Sequence, residues 1–186
     1  MDLVYGKFDS TDMKFQELQS MTDDVLKPLK EYSLKGMVTI GRSYYVYDGD
    51  TIRVATYYNS ALYRFNIRLD GFDTPELRSR DDKEKSAGYQ ARDWLREILK
   101  EKLVWVMCKD ADKYGRLLAD VYVLEYNEDG ETFKPYEECL CINKLIVDKG
   151  FAVRYNGGTK TDWGLILKTE QYPLRSDLFE HELSVK

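Results

Sequence analysis

Thr51-Ile52-Arg53-Val54-Ala55-Thr56-Tyr57-Tyr58, then Asn59-Ser60, then Leu62-Tyr63-Arg64-Phe65-Asn66-Ile67-Arg68-Leu69 is the stretch that decides the fold class. Ile52, Val54 and Thr56 fall on one side of the first segment, the period of two that a half-buried strand needs. Asn59-Ser60 is a turn signal, and 62–69 returns as the partner strand of a hairpin. Upstream, 37–40 and 44–47 read as two short apolar or aromatic strands with Gly41-Arg42-Ser43 between them. Asp48-Gly49-Asp50 punctuates the entry to 51–58 and puts Asp50 at a strand start beside a tight turn. Downstream, 103–107 and 117–126 read as strands flanking a turn at 112–116, and Asn127-Glu128-Asp129-Gly130 as a hairpin or loop insertion.

Helical spacing appears between and around these strands. Ala87, Ala91, Trp94, Leu95, Ile98 and Leu99 form one apolar face over 86–101, behind a charged, loop-like 77–85. A second helix is expected over 138–149, with Leu140, Leu145, Ile146 and Val147 inward and Gly150 closing it. Trp163, Leu165, Ile166 and Leu167 start a third, limited by Pro173. Leu18, Met21, Val25, Leu26 and Leu29 give an amphipathic pattern to an N-terminal helical extension, which either docks on the domain or serves as a targeting or partner-binding arm. The expected class is therefore α+β, mainly β: a five-stranded barrel of OB type with about three packed helices. Its parts are an extension at 1–36, the barrel domain at 37–164, and a C-terminal tail at 165–186.

A chain of 186 residues with 43% hydrophobic residues, 15 Tyr, 7 Phe and 3 Trp can build one core with trimmings. The net charge of −5 argues against a protein that coats nucleic acid electrostatically, but not against a site that grips one phosphate at a time. Cys108, Cys139 and Cys141 form no Cys-x-x-Cys pair, and no signal peptide is visible at the start, so an intracellular, reducing setting is expected. No apolar run approaches a membrane span. His181, the sole histidine, lies in the tail and supports no histidine-dependent mechanism.

Three motifs carry the chemistry: Asp48-Gly49-Asp50-Thr51, Arg68 followed by Asp73-Thr74-Pro75-Glu76, and Asp112-Lys113-Tyr114-Gly115-Arg116. Asp50, Asp73 and the Thr74 carbonyl are oxygen donors of the kind a hard divalent cation takes. Glu76 is placed to orient a water, and Arg68 and Arg116 to clamp phosphate oxygens. In this order, together with Asn143, Gly150-Phe151-Ala152 and Tyr155, the motifs resemble those of the staphylococcal nuclease (thermonuclease) family over about 36–163.

That resemblance implies an OB-fold nuclease that cleaves DNA and RNA endonucleolytically with little sequence selectivity, uses calcium, and leaves 3′-phosphates. It implies Asp50, Asp73 and Thr74 as metal ligands, Arg68, Glu76 and Arg116 as catalytic residues, and Lys113, Tyr114 and Tyr155 as lining of the nucleotide pocket. The acidic charge, the extension, the insertion at 126–138 and the tail depart from the pattern and leave substrate preference open. The rival reading is a non-catalytic barrel that binds nucleic acid or protein, which has no reason to keep both arginines and all three carboxylates.

Overall fold

The computed structural model describes residues 17, 20–28, 33–158 and 161–168. Leu18, Leu29, Pro173, His181 and the rest of the tail beyond 168 lie outside them. The chain forms two compact units, Met1–Ser33 and Leu34–Lys186. In the first, α1 spans Asp23–Leu26.

The second unit is a closed barrel of five strands in the order β1-β2-β3-β6-β5. These are β1 (Val38–Val46), β2 (Thr51–Tyr58), β3 (Ala61–Leu69), β5 (Leu103–Ala111) and β6 (Leu117–Val123). All neighbours are antiparallel except β3 and β6, whose parallel pairing closes the barrel at Ile67↔Leu117, Arg68↔Leu118 and Leu69↔Ala119. Ile52, Val54, Ile67, Leu69, Val104, Val106, Ala119 and Val121 fill the interior, as strand alternation requires. The β2–β3 hairpin turns on Asn59 and Ser60, both at positive φ (46° and 63°), the geometry two-residue hairpins favour. The expected mainly-β barrel of OB type is thus present, with three helices beside it among the described residues of this unit.

Three segments differ from the sequence-based expectation. The two strands expected at 37–40 and 44–47 are one continuous β1, because Gly41 is not a turn. Its missing side chain lets β2 approach: a Cβ there would collide with Val54 and lie 2.9 Å from the Ala55 carbonyl. The extra residue is absorbed as a bulge between Ser43 and Tyr45. Helix α2 runs Asp82–Leu99, starting four residues earlier than its apolar face suggested. Asp81 caps it by accepting from the Lys83 and Glu84 N–H groups, so the charged stretch is a helix start. Helix α3 is shorter than expected, Ile142–Asp148, with a single 3₁₀ turn at Tyr136–Glu138 before it. Cys141 bridges to Tyr122 and keeps 139–141 extended, which leaves Leu140 44% exposed instead of buried.

Helix α2 buries Ala87, Ala91, Trp94, Leu95 and Leu99, and Trp94 stacks on Phe151 with ring centroids 5.1 Å apart. Helix α3 buries Ile142 and Ile146. Gly150, at φ 80°, then reverses the chain into β7 (Val153–Arg154). The short strand β4 (Phe72–Asp73) pairs with β7 through Phe72↔Arg154 and Asp73↔Val153. Helix α4 covers Trp163–Ile166 and is capped by Asp162. All three cysteines are free, with Cys108 and Cys139 buried. No described helix is long and apolar enough to cross a membrane.

One buried amide ties these parts together. Asn143 Oδ1 accepts from the Val121 N–H at 2.9 Å, while Nδ2 donates to the Asp70 carbonyl at 2.9 Å and the Ala119 carbonyl at 3.0 Å. Removing it would take from the Val121 N–H and the Asp70 carbonyl the bonds Asn143 gives them, while the Ala119 carbonyl would keep the Asp70 N–H at 3.0 Å. Asn143→Ala should lower unfolding stability by about 2–3 kcal/mol, read as a shifted urea midpoint with an unchanged slope.

Candidate functional site

The turn before β2 presents Asp50, whose backbone N–H donates to Asp48 Oδ1 at 3.2 Å. Its carbonyl accepts from the Leu69 N–H at 2.7 Å, which locks the turn to the end of β3. There Arg68 points to the outside of the barrel and forms a largely buried ion pair, Nε to Asp50 Oδ2, at 3.1 Å. The same guanidinium donates through Nη2 to the Phe72 carbonyl at 3.2 Å. Arg68 therefore spans from the Asp50 turn to β4.

Arg116 approaches the same carboxylate from the other side. Its Nη1 lies 4.0 Å from Asp50 Oδ1 and donates to Thr51 Oγ1 at 3.0 Å. That hydroxyl in turn donates to Asp50 Oδ1 at 2.6 Å. The turn carrying Arg116 is organised by Asp112, whose Oδ1 accepts from the Tyr114 and Arg116 N–H groups at 2.8 and 2.9 Å. Its Oδ2 accepts from Arg116 Nε at 2.7 Å. Burial alone would raise the Asp112 carboxyl, but the hydrogen bonds from Arg116 and Tyr114 and the Arg116 charge outweigh it and hold the group below its ordinary value.

Asp73 and Thr74 reach the group through packing. Gly49 lies against Thr74 so closely that a Cβ on Gly49 would sit 2.8–2.9 Å from three Thr74 side-chain atoms. Only glycine lets these two motifs touch. Asp73 is held by β4–β7 pairing and is buried, yet among the described residues its Oδ2 has no hydrogen-bond partner. Glu76 is exposed, two residues beyond Thr74, and its backbone N–H donates to Glu84 Oε1 at 3.2 Å. Helix α2 fixes this stretch from behind, because Gly88 lies so close to it that a Cβ there would sit 2.7 Å from the Pro75 carbonyl.

The structure thus joins Asp50, Arg68 and Arg116 directly, brings Asp73 and Thr74 up through Gly49, and leaves Glu76 at the exposed rim. Lys113 and Tyr114 are beside Arg116: the Lys113 ammonium lies 5.1 Å and the Arg116 guanidinium 5.8 Å from the centre of the Tyr114 ring, which is 73% exposed. Tyr155 connects through its N–H to the Gly71 carbonyl at 3.0 Å, while its hydroxyl donates to the Gly158 carbonyl at 2.8 Å. Thr51, Asp112 and Glu84 join the site only through these contacts, and the sequence alone gives them no role. The Asp112-x-x-x-Arg116 spacing was a usable signal, since one aspartate can accept from the N–H groups two and four residues on.

Burial first, and then the Asp50 charge, pushes the Asp48 carboxyl up to about 7. The Asp50 carboxylate, the buried Asp73 carboxylate with its unpartnered Oδ2 and the Thr74 carbonyl are oxygen donors only, the chemistry that a hard divalent cation takes. No three His, Cys, Asp or Glu side chains among the described residues gather as a metal-binding group. A cation here would need the Thr74 carbonyl and water as well.

Because the Asp112 carboxyl is held low, it stabilises the fold above its ordinary pKa, and this contribution is lost as pH falls through the lowered value. Asp112→Asn should melt earlier than the parent chain at neutral pH. That gap should close in thermal melts taken well below about pH 4.

Beyond the geometry, the family model for staphylococcal nuclease homologues matches residues 66–171, more than half of the 186. The matched span includes Arg68, Asp73 to Glu76, Asp112 to Arg116 and Tyr155. Asp50 precedes it and is joined to it by the Arg68 ion pair and the Gly49–Thr74 contact. No curated protein matches the chain.

Proposed function

The chain belongs to the family of staphylococcal nuclease homologues, and on that premise we propose that it is a calcium-dependent nuclease hydrolysing the phosphodiester bonds of DNA or RNA with little sequence selectivity. The observation that carries this reading is the convergence of two guanidiniums, Arg68 and Arg116, on the single carboxylate of Asp50. Asp50 can stand in for an anionic oxygen between two clamps that would otherwise hold a phosphate.

When bound, calcium would supply Lewis-acid polarisation of a phosphoryl oxygen and an ordered water, and Asp50, Asp73 and the Thr74 carbonyl are the groups that would hold it. Arg68 and Arg116 bind the scissile phosphate and stabilise the charge that builds on its equatorial oxygens. Arginine suits this because its planar fork donates two parallel hydrogen bonds and stays charged. Thr51 keeps Arg116 aimed at that position through the 3.0 Å hydrogen bond it accepts. Glu76 orients the attacking water and takes its proton. The new bond joins the water oxygen to phosphorus, and the bond to the 5′ oxygen breaks. The products are a 3′-phosphate and a 5′-hydroxyl, the leaving oxygen taking up a proton. Lys113, Tyr114 and Tyr155 line the nucleotide on the leaving or retained side, with Tyr114 offering an open ring face.

Digestion of plasmid DNA and single-stranded RNA with calcium and with chelator tests the reading. Cutting should require calcium. Glu76→Gln should lower the rate by roughly 10²–10⁴-fold with unchanged melting, and Arg116→Lys by about 10²–10³-fold with a lower melting temperature, because it gives up the Nε bond to Asp112. Absence of cutting alongside calcium and oligonucleotide binding would replace it with a binding module on the same barrel.

A further inference from the structure

Strands β1, β2 and β3 contain Arg42, Arg53, Arg64 and Arg68 and not one Asp, Glu or Lys. The whole chain has 33 acidic residues against 28 basic ones, so this segregation of charge runs against its composition. Register places Arg42, Ala55 and Arg64 in one cross-strand row, and Tyr45, Arg53 and Asn66 in the next. Alternation turns these side chains outward, because Ile52, Val54, Ile67 and Leu69 occupy the inside.

The next outward residue on β3 is Arg68, the guanidinium already paired with Asp50. Arg64 lies four residues away, about 13 Å along the strand. The rows therefore lead away from the site with no acidic side chain among them. Among the described residues neither Arg53 nor Arg64 has an ion-pair partner. Arg42 reaches only Glu101, at 3.8 Å and with both side chains well exposed, a contact worth little in water. Arg53 lies over the Tyr45 ring at 4.9 Å, and Tyr57, one row beyond Ala55, is 71% exposed.

We propose that this outer face is a second nucleic-acid-binding surface: a single strand leaving Arg68 lays its phosphates along Arg53 and then Arg64 and Arg42, and stacks a base on Tyr57. The choice of ligand rests on the proposed nuclease reading. Outward arginines beside an open tyrosine ring are what a sequence-tolerant single-strand surface needs: charge for the backbone and a ring for any base. Ala55 between Arg42 and Arg64 leaves a low floor for the strand to cross. In a chain of net charge −5, three strands that carry arginine and no acidic residue, leading from Arg68, also direct a polyanion toward the site.

The test uses the full chain, its Arg53→Gln/Arg64→Gln and Arg53→Glu/Arg64→Glu variants, and labelled single-stranded oligothymidylates in chelator, so that binding is read without cutting. Thermal melting identifies which variant folds as the parent does; the neutral pair covers the case where charge reversal does not. Anisotropy titrations compare a probe of about three nucleotides with one of about fifteen, spanning the site sizes of single-strand-binding barrels. The folded variant should bind the long probe roughly tenfold more weakly. Its plot of log affinity against log salt should be shallower by about 1.4, two phosphates at about 0.7 each. Its affinity for the short probe should change far less. Equal affinity and equal salt slope on the long probe would overturn the proposal, while cutting by the parent chain would leave the nuclease reading intact. If the parent binds the long probe but never cuts, a loss in the variant still supports the surface and the catalytic reading alone falls. If the parent binds no oligonucleotide in chelator, the surface falls, and cutting with calcium decides the nuclease reading separately.

Discussion

The amide of Asn143 is the constraint on which the site depends. Where β3 leaves the barrel, its parallel pairing with β6 ends after three residues, and the backbone groups beyond need other partners. Asn143 supplies them from α3, bonding to β6 through Val121 and Ala119 and to the departing chain through Asp70. Lys109 adds to the same corner by pairing with Asp70 at 2.8 Å and Asp120 at 3.0 Å. Three residues after Asp70 comes Asp73, so the direction in which that carboxylate emerges is set by a side chain that takes no part in chemistry. The Tyr155 N–H closes the other side of the bend by donating to the Gly71 carbonyl.

Charge in the site is balanced in tiers. Asp112 satisfies Arg116 at one edge of the guanidinium and leaves Nη1 directed at Thr51 and Asp50. Asp50 is neutralised by Arg68 on Oδ2 and reached by Arg116 and Thr51 on Oδ1. Among the described residues Asp48 and Asp73 have no such guanidinium, and they show it differently: Asp48 is pushed up in pKa, and Asp73 keeps an unpartnered buried oxygen. Each is a group whose local chemistry is incomplete without positive charge.

Much of the barrel was legible in the sequence, because strand alternation at 51–58 and 62–69 and the turn at Asn59-Ser60 are local signals. The misreadings share a cause. Gly41 looked like a turn because its reason for being glycine is β2, far away in sequence. The early start of α2 was hidden because Asp81 to Lys85 is polar, and a cap is read from hydrogen bonds as much as from hydropathy. Leu140 looked like a core position until the bridge to Tyr122 held its neighbour extended. At the site, residue types marked Asp50, Arg68 and Arg116, but the contacts joining them are tertiary. Nothing in the local sequence says that Gly49 must meet Thr74 or that Thr51 mediates between Asp50 and Arg116.

The short closure between β3 and β6 has another consequence. Among the described residues, 61–66 pair with β2 on one side only, leaving a run of backbone N–H and carbonyl groups on the other. Such an edge is a template on which a neighbouring molecule can lay its own strand, and concentrated protein would be driven toward sheet-extended aggregates. Arg64 stands in the middle of that edge, and the like charge it would meet on a second copy opposes the pairing. Keeping the chain monodisperse is therefore a selective reason for a basic residue at this position that is independent of any ligand.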